Sequence, residues 1–357
     1  PSSRFREIIM VFAKYGFGYI FDRKDEEQKK SPANLRKAFE DLGPTFIKIG
    51  QILSTRPDLL PKEYIDELVK LQDSAIVENF DDMKLVFEKS LNTTIDESFQ
   101  YLNRAPIASA SIAQVYEGIL KDGREVVLKI QRPKIYEKII KDIAILMKIL
   151  KIAEGRINIP IIDPIEALEE IKFTTIQELD FISEAGNIEK FSELNKNTAP
   201  IYAPYVVREL LSDKVLVLEN IDGIKINDIK ELEQNGYDIN DIADKLTLAF
   251  CKHIFEDGFF HGDPHPGNLL ISEGKICFID FGIVGQLSDN MKKWLNIAMI
   301  AIATHDKEKL VNCILAIAIK KGKVNKVDIY DSVSYIFDVY LSLIHISEPT
   351  RPEPISY

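Results

Sequence analysis

Two short polar motifs set close together constrain this 357-residue chain more than any other feature. The first is His261-Gly262-Asp263-Pro264-His265-Pro266-Gly267-Asn268. The second is Asp280-Phe281-Gly282, reached through the apolar Ile279. Ile239–Asp257 reads as one long helix before them. Leu269–Ile271 and Lys275–Ile279 read as two short strands between them, turning at Glu273-Gly274. A loop leaving the helix thus carries one carboxylate, Asp263, and a side-chain amide, Asn268. The strand pair then delivers a second carboxylate, Asp280. Hard cations take oxygen ligands, so Asn268 and Asp280 are candidate ligands of Mg²⁺. Asp263 is left to orient or deprotonate an attacking hydroxyl or water. Phosphoryl transfer needs this kind of positioning and little covalent chemistry. A polar turn rich in Pro and Gly is the plainer reading of the first motif, and Asp-Phe-Gly alone is a weak tripeptide. Their short separation makes the two together specific.

Upstream segments supply the rest of a nucleotide site. Val115–Leu120 and Glu125–Ile130 read as a strand pair turning at Lys121-Asp122-Gly123-Arg124. The second strand ends in Val126-Val127-Leu128-Lys129, where a lysine can pair with α- and β-phosphates. The lysine needs a carboxylate partner on a helix. The stretch Glu178–Glu184 offers several, of which Glu184 is the choice, against an ordinary solvated helix face. Ala108-Ser109-Ala110-Ser111 occupies the place of a phosphate loop but contains no glycine. Small side chains allow close backbone approach, yet they do not reach positive φ cheaply. The loop is therefore expected to be stiff. Glu219-Asn220-Ile221, at the end of a strand, is the candidate hinge whose backbone meets adenine.

The order of elements suggests an α+β chain with two lobes of protein-kinase type, a small β-containing N-lobe and a mainly helical C-lobe, preceded by a helical extension. Leu35–Ser54 shows apolar residues at helical spacing, interrupted by Gly43-Pro44, which predicts two helices meeting at a turn. Pro61–Leu71 and Asp81–Ser90 read as helices, with Asp81 as N-cap. Asp142–Ala153 and Pro164–Lys190 also read as helical, Tyr205–Leu210 and Lys214–Glu219 as a strand pair, and Ser288–Tyr340 as helical throughout. The boundaries drawn are 1–104 for the extension, 105–222 for the N-lobe, 223–340 for a truncated C-lobe, and 341–357 for a tail. That tail resembles a translated sequencing adapter, so the natural sequence is expected to depart near Tyr340. The charged run Asp22–Lys30 reads as a linker or helix end.

A net charge of −11 argues against a general nucleic-acid partner. Cys251, Cys277 and Cys313 have no zinc spacing and read as reduced core residues. The apolar stretches Trp294–Ala303 and Val311–Ile319 are too short to span a bilayer. The aromatic N-terminal run Phe12, Tyr15, Phe17, Tyr19 and Phe21 reads as core before it reads as a membrane or partner contact.

These motifs resemble those of the UbiB or aarF-domain atypical kinase family. Lys48-Ile49-Gly50-Gln51 matches its K-x-G-Q signature. Glu178-Leu179-Asp180 matches its E-x-D motif, with Glu184 at the family's place for the lysine partner. The alanine-rich loop and H-G-D-P-H-P-G-N with D-F-G complete the match, over roughly Leu35 to Tyr340. Ala113 departs from a glycine often found before Gln-Val in that family. The resemblance implies that the K-x-G-Q helices pack over the site where a peptide substrate would lie, with Lys48 reaching toward Glu178 and Asp180 and Gln51 supporting it. It implies ATP and Mg²⁺ as cofactors, and work as an ATPase or unorthodox kinase in ubiquinone, other isoprenoid quinone or lipid metabolism. A lipid or quinone-precursor ligand, a biosynthetic protein complex, and a cytoplasmic place on or anchored to the inner membrane face follow as expectations. A small-molecule kinase of the aminoglycoside or choline type is the competing reading, since Gly262 replaces the arginine usual in protein kinases. A nucleotide-sensing module with negligible turnover is the third.

Overall fold

A computed structural model describes residues 3–18, 31–71, 76–152, 163–318 and 325–341. The charged run, Tyr19, Phe21 and the adapter-like tail beyond Leu341 lie outside these residues. The chain divides into two compact units, Pro1–Tyr237 with Gly262–Ile283, and Asp238–His261 with Val284–Tyr357.

The first unit opens with helices α1 (Ser3–Lys14), α2 (Pro32–Leu42), α3 (Pro44–Leu53) and α4 (Lys62–Leu68). The predicted break at Gly43-Pro44 is present. Gly43 takes φ +92, donates its N–H to Phe39 O and Glu40 O, and so closes α2, while Pro44 starts α3. Phe12 of α1 packs edge-on against Phe17, Phe39 and Phe46 at 6.1 to 6.3 Å, which puts the described aromatic residues of this segment largely in the core. Arg4 donates to both Asp142 oxygens at 2.8 Å and to Leu42 O at 2.7 Å, tying α1 to α7 (Ile135–Ile152). The planar fork of arginine suits that paired geometry.

Helix α5 (Phe80–Leu91) is capped by Asn79, which accepts from Asp81 N at 2.9 Å, and not by Asp81 as the sequence suggested. Helix α6 (Ile95–Ser98) carries a full capping box between Thr94 and Glu97. A sheet follows from β1 (Phe99–Leu102), β2 (Ala108–Ser109), β3 (Ala113–Leu120), β4 (Glu125–Gln131) and β6 (Val215–Glu219), ordered β1-β3-β4-β6 with β2 on β3. Val126, Leu128 and Ile130 are fully buried with Met83 and Phe87 of α5, so Lys129 belongs to the other face of β4.

The predicted helix Pro164–Lys190 is two helices, α8 (Pro164–Glu178) and α9 (Phe181–Asn195). Asp180 breaks it by accepting from Ile182 N and Ser183 N, both at 3.1 Å, a capping geometry that competes with helix continuation. Of the predicted strand Tyr205–Leu210 only Val206 bridges to Leu218, and Arg208–Leu210 is a 3₁₀ turn. A second sheet runs β5-β10-β9-β7, from β5 (Ile201–Tyr202), β7 (Ile224–Lys225), β9 (Leu269–Ser272) and β10 (Lys275–Phe278), with α10 (Ile229–Gln234) following β7. The predicted hairpin across Glu273-Gly274 is therefore present.

The second unit contains α11 (Ile239–Cys251), which continues into a π-helical turn over Lys252–Asp257, and the antiparallel pair β8 (Phe259–His261) and β11 (Val284–Gln286). The helical run beyond Ser288 resolves into α12 (Asp289–Ala303), α13 (Lys307–Ile317) and α14 (Lys326–Ile336), the last running into a short π-helical segment over Phe337–Leu341. Cys277 and Cys313 are buried as expected, whereas Cys251 is exposed. Among the described residues no helix is long and apolar enough to cross a membrane.

Candidate active site

All the charged residues singled out by sequence lie in the first unit. Lys129 Nζ donates to both oxygens of Glu184, at 3.1 and 3.0 Å, and stands 3.8 Å from Asp280 Oδ1. It also lies 5.0 Å over the Phe181 ring. The Lys129 side chain is 17% exposed and that of Glu184 only 2%. Burial works against the Lys129 charge, but Asp280 and Glu184 outweigh it and hold the ammonium above its ordinary range. Burial pushes the Glu184 carboxyl up to about 7, with Lys129 pulling it back.

Lys48, from α3, pairs with Glu178 Oε2 at the end of α8. The second oxygen, Oε1, is buried without a hydrogen-bond partner, and burial raises the Glu178 carboxyl despite Lys48. Asp180 does not share this contact. Its carboxylate is engaged by the first turn of α9, including Ser183 Oγ at 2.7 Å. Gln51 donates to Leu71 O at 3.2 Å. Gly50 explains the glycine of the K-x-G-Q signature. A Cβ there would sit 2.2 Å from Leu71 Cδ1 and 2.8 Å from Phe39 Cδ2, so the helix face must stay bare.

Asp280 takes φ +58, a left-handed conformation that costs an ordinary side chain energy but suits aspartate better than most. Its Oδ1 accepts from Gly282 N at 3.3 Å. Next to it Phe281 is fully buried, 4.9 Å from Phe191, and its carbonyl accepts from Asn187 Nδ2 at 3.0 Å. Helix α9 therefore carries both the Lys129 partner and the anchor of the Asp-Phe-Gly turn. Sequence reasoning passed over Asn187. The available signal was its place on the same helical face as Glu184.

Asn268 is 8% exposed and donates its Nδ2 to Asp263 O at 3.0 Å. With the nitrogen engaged, the side-chain oxygen is the atom available to a cation. The Asp263 carboxylate is half exposed, with His265 Nε2 at 3.7 Å. Gly262 donates to Ile283 O at 2.9 Å, and a Cβ on it would meet Ile283 Cγ2 at 2.7 Å. Close packing against Ile283 thus accounts for glycine where an arginine would otherwise stand.

The charge balance also favours a cation. Two ammonium groups, Lys48 and Lys129, face three carboxyl groups, Glu178, Glu184 and Asp280. Among the described residues no group of three or more His, Cys, Asp or Glu forms a metal cage. Oxygen donors from Asn268 and Asp280 fit Mg²⁺, which commonly takes one or two carboxylates and completes its shell with phosphates and water.

Ala108 and Ser109 form β2 and pair with Val115 and Gln114, Ala110 N donates to Ala113 O at 2.9 Å, and Ser111 is buried. At the candidate hinge, Asn220 N donates to Glu125 O at 3.1 Å, and Glu219 Oε2 accepts from Tyr202 Oη at 2.6 Å. Glu219 and Ile221 line a cavity of about 710 Å³ with Tyr202, Tyr237 and Lys275. None of the Lys129, Glu184 and Asp280 side chains lines it, so the cavity lies away from the charged cluster.

Comparison with known proteins identifies the family. A family model described as the ABC1 atypical kinase-like domain matches residues 70–314. A Clostridium pasteurianum protein described as an uncharacterized protein in the hydrogenase 1 5' region is 53% identical, over 95% of this chain and 64% of its own length. A probable protein kinase UbiB of Cellvibrio japonicus is 37% identical, over 76% of this chain and 50% of its own length. The chain therefore spans about half to two thirds of these curated relatives. Among solved structures, the Rv3197–erythromycin complex of Mycobacterium tuberculosis aligns with a TM-score of 0.59 and 26% identity, over 83% of this chain and 75% of that one. With its two-lobed, kinase-like α+β fold, the chain belongs to the ABC1 family of atypical kinase-like proteins, alongside the relatives named UbiB.

Proposed function

We propose that this protein binds ATP with Mg²⁺ and uses it for slow hydrolysis or phosphotransfer in support of isoprenoid quinone or lipid biosynthesis. The observation that carries the reading is the Lys129 ammonium held between Glu184 and Asp280. A fixed cation beside a carboxylate suited to Mg²⁺ is the arrangement that holds a polyphosphate. Asn268 and Asp280 would hold the ion, which when bound supplies charge neutralisation at the phosphates. Lys129 would pair with the phosphates, Glu184 would hold Lys129, and Asp263 would orient the attacking oxygen. The Ala108–Ser111 loop would cover the phosphates, and the backbone at Glu219 and Ile221 would meet the base.

The Lys48–Glu178 pair supports a site partly closed to large acceptors. A lysine from the helical extension is held by Glu178, which stands close enough to Asp280 for that carboxylate to raise its pKa further. Within this reading residues 1–104 serve as the closing extension, and 105–222 and 223–340 as the two lobes. The quinone or lipid connection rests on the UbiB relatives' name, and a peripheral or anchored place at the inner membrane face rests on the same kinship. The K-x-G-Q helices and the alanine-rich loop speak against the small-molecule kinase reading, and Gly262, packed against Ile283, does not decide between the two.

The test is ATP turnover by the purified protein with and without lipid-like activators, in parent and Asp280→Ala. The parent should turn over ATP and the variant should lose at least about 100-fold. Equal turnover in the two would overturn the reading.

A further inference from the structure

The alanine-rich loop lacks the glycines that usually shape a phosphate loop, and no residue from Ala108 to Gln114 adopts a positive φ. Something other than backbone permissiveness must fix its path. Arg132, just past the end of β4 and 3% exposed, makes four side-chain hydrogen bonds there. Its Nε donates to Ala110 O at 2.9 Å and its Nη2 to Ser109 Oγ at 2.9 Å. Its Nη1 donates to Ile76 O at 2.8 Å and to Glu78 Oε1 at 3.2 Å. The Arg132 backbone N–H adds a bond to Ile112 O at 2.9 Å.

Gln114, fully buried, works beside it. Its Oε1 accepts from Glu78 N and from Ser109 Oγ, and its Nε2 donates to Tyr116 Oη at 2.6 Å. One face of this network is the loop. The other is the segment Ile76–Asn79, which enters α5 and follows in sequence from Leu71, the residue whose carbonyl accepts from Gln51. Burying a guanidinium is expensive unless its donors are satisfied. Here they are satisfied by main-chain carbonyls and a carboxylate that would otherwise have no reason to sit together.

We infer that Arg132 is a positioning residue that clamps the Ala108–Ser111 loop to the Ile76–Asn79 segment, setting the loop's path for nucleotide and linking it to the chain that leaves the K-x-G-Q helices. This rests on reading that loop as the nucleotide loop. Arg132 touches no substrate. It acts by taking over, through a side chain, the shaping that glycines give other phosphate loops.

Arg132→Lys keeps a positive charge but loses the planar fork that reaches four acceptors at once. Two measurements decide the matter. Without nucleotide, amide hydrogen exchange at Ala110 and Glu78 should quicken by about tenfold or more in R132K, while β3 and β4 stay protected as in the parent. With nucleotide, the dissociation constant for Mg-ATP should rise about tenfold while kcat changes by less than about twofold. A merely structural arginine would instead lower the thermal midpoint and leave Mg-ATP affinity alone. Glu78→Ala removes one acceptor on the segment side, outside the nucleotide loop, and serves if R132K does not fold. It should give the same pattern at about threefold. Unchanged exchange, or quickened exchange with unchanged affinity, overturns the inference while leaving the proposed function standing. Failure of the parent itself to bind Mg-ATP brings down the proposed function and the nucleotide half of the inference, and the exchange data still report on the clamp.

Discussion

Glu184→Gln keeps the size of the side chain and removes its charge, so it separates the alignment of Lys129 from the packing of α9. Glu184 is 2% exposed, and both oxygens accept from Lys129. Burial lifts its carboxyl from an ordinary 4.5 to about 7, with Lys129 opposing the rise and Asp280 adding to it. The folded protein therefore holds this proton more tightly than the unfolded chain does. The stability carried by the proton is fully present below about pH 4.5 and is lost as pH rises through about 7. Above that, ionised Glu184 costs the fold about 3 kcal/mol, at about 1.4 kcal/mol per pH unit. Glutamine has no charge to bury. It also leaves the buried Lys129 ammonium without its carboxylate, so the variant's unfolding free energy should lack the fall through about pH 7 that the parent shows, whatever its absolute value.

Activity should fall. Lys129 loses a charge-assisted partner worth about 1.5–3 kcal/mol. If that energy serves the transition state, kcat/KM for ATP falls about 10- to 100-fold. The assay is steady-state ATP turnover from pH 5.5 to 9 (on the order of those limits), with urea unfolding in the same buffers. The parent should gain activity through an apparent pKa near 7 and the variant should lack that limb. Parental turnover in E184Q at pH 8, or an acid limb unchanged by the substitution, refutes the reasoning.

Two further substitutions probe the helical extension. Lys48→Met leaves Glu178 as a buried carboxylate without a cation and should cost about 2–3 kcal/mol in urea unfolding. Adding Glu178→Gln should recover most of that loss, and additive losses would contradict the pairing. Gly50→Ala places a methyl 2.2 Å from Leu71 Cδ1 and should cost about 1–3 kcal/mol, read from the same unfolding curves.

Much of the site was legible because its residues fall in short contiguous motifs. Asp263 with Asn268, and Asp280 with Phe281, each lie within one loop, so spacing alone shows the chemistry they offer. The pairing of Lys129 with Glu184 spans 55 positions, so sequence narrowed the partner only to the Glu178–Glu184 stretch, where the choice of Glu184 agreed with the family resemblance. Local competition was harder to read. No Gly or Pro marks the break between α8 and α9, where a capping aspartate, Asp180, does the work. Asn79 and Asp81 both qualify as caps, and only the backbone path selects Asn79. Tyr205–Leu210 alternates like a strand, yet a single bridge at Val206 forms before the chain turns. The short strands β1 and β5 escaped notice because four and two residues carry almost no periodic signal. The Arg132 network was out of reach for another reason. Its partners lie 22 to 56 positions away, and a lone arginine after a strand looks like surface.

The central claim is that Asp280 and Asn268 bind Mg²⁺ together with ATP beside Lys129. Calorimetric titration of ATP with and without Mg²⁺, into the parent and into Asp280→Ala, tests it most directly. Parental binding should tighten at least about tenfold with Mg²⁺, and the variant should lose that dependence. Binding indifferent to Mg²⁺ in the parent, or equally Mg²⁺-dependent in the variant, would contradict it.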